Sequence, residues 1–105
     1  MRVRFKVWLE KKGEPIISEG KYRLLKEIEK TGSILKASEN LGLTYKRAIS
    51  QIKVMEERLG DRILDRKRGK GARLTETGRD LIRRYEKVLR KVYEAVRSAE
   101  RDLQT

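Results

Sequence analysis

The first nine positions alternate: Val3, Phe5, Val7 and Leu9 are apolar, and Arg2, Arg4, Lys6 and Trp8 stand between them. Period two over this length predicts a strand with one buried face. Lys12-Gly13 marks a turn and Pro15-Ile16-Ile17 a short return strand, so residues 1–17 are expected to form a β-hairpin. From Ser18 the apolar spacing becomes helical through Tyr22, Leu24, Leu25 and Ile28, with Gly32 as the stop. Ser33 caps a second helix whose inward positions are Ile34, Ala37, Ser38 and Leu41. Gly42 supplies the positive φ of a tight turn. Thr44 then caps a third helix that runs to about Leu59 and is ended by Gly60, so residues 18–60 hold three helices. Ile63, Leu64, Ala72 and Leu74 frame a second hairpin over 61–74. Thr75 opens a last helix over 75–104, roughly 40 Å long at the usual rise.

On a wheel of the third helix, Ala48, Ile52, Met55 and Leu59 share one stripe, with Gln51 near its edge. Lys46, Ser50 and Lys53 fall on the opposite face, Arg47 lies to the outer side, and Tyr45 in the first turn can reach a phosphate. On the outward, exposed face Glu56 and Glu57 come later, toward the C-terminal end. A recognition helix enters the DNA groove N-terminus first, so carboxylates there do least harm. An ordinary solvated polar face would show the same pattern; the helix-turn-helix before it and the basic hairpin after it favour a reader.

The second hairpin carries Arg66, Lys67, Arg68, Lys70 and Arg73, with no acid after Asp65 and with Gly69 and Gly71 giving a slim, flexible tip. Such a tip suits the phosphate backbone or the minor groove, where it positions more than it reads. The order predicts a mainly α fold with small β elements, a winged helix-turn-helix with an N-terminal hairpin and a long C-terminal helix, as one domain over 1–105. Along that last helix Leu81, Tyr85, Val88, Val92, Ala95 and Ala99 recur at alternating spacings of four and three, with Leu89 and Val96 beside them. The stripe is wider than one seam. Part is expected to pack on the chain's own helices, and part on the same helix of a second copy. Gly78 in its first turn suits close approach to another backbone.

Composition narrows the partner. The net charge is +12, which favours an anionic polymer, here double-stranded DNA. With no Cys and no His, disulfides, thiolate zinc sites and imidazole chemistry are excluded. No carboxylate pair stands out, so an enzyme is disfavoured, and neither cofactor, metal nor small-molecule effector is evident. No apolar run reaches membrane-spanning length and there is no signal-peptide pattern, so a cytoplasmic, nucleoid-associated protein is expected. Charged residues make up 42% of the chain, and amide residues are few (Asn40, Gln51, Gln104), which points weakly to a hot-growing source. Two rivals remain: an architectural protein coating DNA with little sequence preference, and a basic domain with no such partner.

Residues 32–48, GSILKASENLGLTYKRA, resemble the DNA-binding segment of ModE-type, molybdate-responsive regulators, and RKRGKGARLTETGRDLI resembles their wing and following helix. Through QIKVMEERLG and the Leu-Thr-Glu-x-Gly stretch at Leu74–Gly78 the chain is similar to the wider LysR-type group. The resemblance covers about residues 18–90. It implies a winged helix-turn-helix, dimerisation through the long helix, and palindromic operators. By position it places Thr44, Tyr45, Lys46 and Ser50 toward the groove, Ser33 near a phosphate, and Arg66–Arg73 on the wing. ModE-type and LysR-type regulators carry further effector domains. Neither is found within these 105 residues, so a stand-alone regulator is expected and molybdate sensing is not carried over. Position 50 is Ser where LysR-type proteins often have Arg, so operator preference does not transfer.

Overall fold

A computed structural model of the chain describes residues 1–66 and 71–104. Strands β1 (Trp8–Lys11) and β2 (Glu14–Ser18) form an antiparallel hairpin. Its two-residue turn has φ of 53° at Lys12 and 80° at Gly13. Two positive φ values match the twist of the flanking strands. Helices α1 (Glu19–Thr31), α2 (Ile34–Asn40) and α3 (Tyr45–Leu59) follow, then β3 (Leu64–Arg66), β4 (Ala72–Leu74) and α4 (Glu76–Asp102).

Local chemistry sets most of these boundaries. The hydroxyls of Ser33, Thr44 and Thr75 accept the N–H of Lys36, Arg47 and Gly78 respectively, as N-caps do. Gly32 and Gly60 end α1 and α3 in the left-handed region. The core gathers Leu24, Leu25 and Ile28 of α1, Ala37 of α2, Ala48 and Met55 of α3, and Ile17 and Ile63 from the hairpins, all without solvent exposure. Buried Ser38 is satisfied by donating to the Leu35 carbonyl at 2.7 Å.

The first hairpin is shorter than its period predicts. Trp8 pairs with Ser18, so the residue opposite Val7 would be Glu19, already the first of α1. With no strand left to pair, residues 1–7 form no ladder. Their alternation survives because one face lies along α4: the Tyr85 hydroxyl donates to the Val7 carbonyl at 2.8 Å, Phe5 meets Tyr93 edge-on at 5.1 Å, and the Val3 N–H donates to Glu100 at 3.0 Å. The part of the α4 stripe nearest this arm is thus covered by the chain's own N-terminus.

Candidate nucleic-acid interface

The third helix presents the face its wheel predicts. Ala48, Ile52 and Met55 are buried and Leu59 is half-buried. Thr44, Tyr45, Lys46, Arg47, Ser50 and Lys53 are exposed, so the polar side of α3 from its cap to its third turn is free of the core. Tyr45, with 48% of its surface open, is a large ring left in solvent at the helix start. Gln51 is half-buried, and its side-chain carbonyl oxygen is buried with no hydrogen-bond partner among the described residues.

What orients α3 is α2. Their connection runs through the Leu43 N–H, which donates to Ser38 at 2.8 Å, and through Gly42 at φ 69°. Ala37 and Ser38 are small enough for the two helices to pack closely, and Asn40 ties the end of α2 to Glu27 of α1 at 2.9 Å. Ser33, expected near a phosphate, is half-buried, and its hydroxyl is engaged as the α2 cap.

Of the wing strands β4 alternates between buried and exposed positions, whereas in β3 only Leu64 is buried. Leu64, Ala72 and Leu74 face inward, while Arg66 and Arg73 are exposed. Asp65 stands opposite Arg73 in the ladder, an opposite-charge cross-strand pair. Lys67, Arg68 and Lys70, expected at the tip, lie outside the described residues.

Several contacts fix the wing and its base, and the spacing of apolar positions does not announce them. Glu56, read as an exposed carboxylate, is half-buried and accepts the N–H of Ile63 at 2.9 Å and of Leu64 at 3.4 Å, tying α3 to the start of β3. Gly71, read as a source of flexibility, has φ 74°, and a Cβ there would overlap the Gly32 carbonyl. The same carbonyl accepts the Ala72 N–H at 2.9 Å, so the returning strand docks on the α1–α2 corner. The Thr75 hydroxyl donates to Arg62 at 2.6 Å while its N–H bonds Ile63 at 3.0 Å. Asp61 accepts from the Thr77 hydroxyl and the Arg62 N–H, which together hold its carboxyl below the usual range. The Gly78 expectation holds: a Cβ there would overlap the Ile63 carbonyl.

On α4 the structure divides the residues expected at a partner seam. Leu81 and Tyr85 are buried inside the subunit's own core, because α4 crosses α1 there: the Tyr22 ring meets Tyr85 at 5.1 Å in a tilted contact, and its hydroxyl donates to Glu86. They are not available to a second chain. Leu89 is half-buried against the same core. Val88, Val92 and Val96 are half-buried, and Ala99, like Ala95, is exposed; with Val3 of the arm they line an open apolar groove.

The model of the bacterial regulatory helix-turn-helix proteins of the lysR family matches residues 20–79, from α1 to the first turn of α4. No curated protein matches the chain significantly. Among solved structures, the BenM_DBD/benA site 1 DNA complex superposes with a TM-score of 0.64 at 24% identity, over 78% of this chain and 94% of that one. The CbnR_DBD–DNA complex gives 0.59 at 23% identity, over 79% and 91%. DarR of Vibrio fischeri in complex with DNA gives 0.59 at 26%, over 82% of this chain and 29% of that one. The chain thus spans under a third of such a full-length regulator. The fold is a winged helix-turn-helix of the kind these domains share, and the chain belongs to the lysR family of bacterial regulatory helix-turn-helix proteins.

Proposed function

We propose that this LysR-type domain is a sequence-specific, double-stranded-DNA-binding transcription regulator that acts as a homodimer. The observation that carries the reading is the exposed polar face of α3: Tyr45, Lys46, Arg47, Ser50 and Lys53 project from a helix whose other side is locked into the core, followed at once by a cationic wing. Lys46, Arg47 and Ser50 meet base edges or phosphates. Arg66 and Arg73, with Lys67, Arg68 and Lys70 of the sequence between them, grip the flanking backbone. The α4 groove of Val88, Val92, Val96 and Ala99 supports pairing with a second copy, which covers apolar surface this chain leaves open. Two heads related by a two-fold axis suit half-sites about one helical turn apart. The finer kinship with ModE-type regulators rests on the two segments quoted above.

The test is binding to DNA fragments selected from the genome, compared with random duplex at fixed salt. A specific reader gains ~10³ or more on its own site. If about six phosphates are neutralised per dimer, log K falls against log salt with a slope near −5. Lys46→Ala or Ser50→Ala costs about 1–3 kcal/mol on the selected site and less on random DNA. Arg66→Ala or Arg73→Ala weakens both duplexes alike and flattens the slope by about one. The net charge of +12 favours a second reading, an architectural protein. Equal losses on both duplexes for the Lys46 and Ser50 variants would support it, and a salt slope near zero would remove DNA as the partner.

A further inference from the structure

Five of the six aromatic residues of the chain converge on one place that the reading head does not use. Phe5 comes from the N-terminal arm, Trp8 from the start of β1, Tyr22 from α1, and Tyr85 and Tyr93 from α4; only Tyr45 stands elsewhere. Between them lies an open cleft of about 640 Å³. That size suits a small molecule. All but Tyr22 of the five lie outside residues 20–79, so the shared helix-turn-helix does not account for their gathering.

Packing alone does not account for it either. Tyr85 is fully buried, but Trp8 and Tyr93, which also line the cleft, are each 50% exposed. Trp8 is held by its indole N–H, which donates to Glu10 at 2.8 Å. The walls are joined by the Phe5–Tyr93 and Tyr22–Tyr85 ring contacts.

The charges at the rim choose the ligand. Rings alone would suit a cation as well as any flat molecule. Arg4, Lys6 and Arg23 line this cleft, against the single acid Glu19, which is already paired with Arg23 at 2.8 Å. Arg4 and Lys6 have no carboxylate partner among the described residues. Their field repels a cation and attracts an anion. We infer that the cleft between the arm, α1 and α4 is a binding site for a flat aromatic anion, with its ring among Trp8, Tyr93 and Phe5 and its charge toward Arg4 and Lys6. A ligand there touches the arm, the reading head and the long helix at once.

Trp8 is the sole tryptophan, so its indole N–H gives one resonance in a nitrogen-15 spectrum of the full chain. Three probes separate ring from charge: 2-naphthoate, the (2-naphthylmethyl)trimethylammonium cation, and cyclohexanecarboxylate. The expected result is a saturable shift with 2-naphthoate, and binding at least tenfold weaker for the other two. The Arg4→Glu, Lys6→Glu double variant should lose at least tenfold for 2-naphthoate while keeping its circular dichroism and its melting temperature. Equal or tighter binding of the cation overturns the proposal, as does no shift with any probe at 10-fold molar excess and above, up to solubility. A resonance that moves on dilution of the protein and ignores all probes also overturns it, because a second copy then fills the cleft. None of these readouts involves DNA, so failure here and failure of the DNA reading are distinguishable.

Discussion

The head and the extension of this molecule bury their apolar residues to very different depths. From α1 to the start of α4, Leu24, Leu25, Ile28, Ala37, Ala48, Met55 and Ile63 have no exposed surface. Along α4 beyond Tyr85 no residue is fully buried: Leu89 and Val92 are half-covered and Ala95 and Ala99 are open, although the apolar spacing continues. The head is closed by several elements packed on one another, β2 on α3 and β4 on α1 among them. The extension is a single helix with one thin strap, residues 1–7, laid along it. A head of this kind stands as a unit, whereas a helix roughly 40 Å long has its far half stabilised only by what covers it.

The largest effect is expected where the two regions join. Gly78→Ala forces a Cβ into the Ile63 carbonyl and should cost on the order of 3 kcal/mol, read as a fall in the urea midpoint. An unchanged midpoint would mean that α4 can lift off the wing base and that the regions are less coupled than they look. The next effect separates the faces of α4. Val92→Glu should dissociate the proposed dimer at micromolar concentration and leave the unfolding of the head nearly unchanged, since Val92 lies in the open groove. Leu89→Glu should also destabilise the subunit, because Leu89 packs on its core. Sedimentation and urea melts on both variants decide this, and identical behaviour would erase the distinction between the two faces. The arm contributes less. Phe5→Ala removes the edge contact with Tyr93 and should cost about 1 kcal/mol, seen as faster amide exchange in residues 90–100 with the head still protected.

The smallest effect is a pH dependence at the α1–α4 crossing. Burial, and then its hydrogen bond to the Glu86 carboxylate, push the Tyr22 phenol up to about 12 from 10.0. The folded state therefore holds this proton more tightly than the unfolded chain does. The contribution is complete below pH 10 and is lost as pH rises toward 12. Tyr22→Phe should flatten the stability profile in that window. A slope that persists in the variant would assign the loss to other groups.

Much of the head was legible beforehand. The caps Ser33, Thr44 and Thr75, the stops Gly32 and Gly60, and the Ala48–Ile52–Met55 stripe depend on residues within a few positions of each other. For the same reason the exposed face of α3 could be read from its wheel. Glu56 could not: on a wheel it is a surface acid, and only the return of β3 past the end of α3 gives it two N–H groups to accept.

What the sequence determined by itself is therefore periodic and local: which segments are helices, where they start and stop, and which face of each is apolar. Only the tertiary structure decided what covers each face. Leu81, Tyr85, Leu89 and Val92 belong to one apolar stripe in the sequence. The crossing of α1 takes the first two, the core edge the third, and an open groove the last. Val3, Phe5 and Val7 read as half of a ladder, yet the chain opposite them has already turned helical, so their buried face lies on α4 instead. Gly71 reads as a loosening of the wing, and becomes the point where the wing meets the α1–α2 corner. In each case the deciding neighbour lies many residues away, and a pattern of spacings carries the demand for burial without naming the partner that meets it.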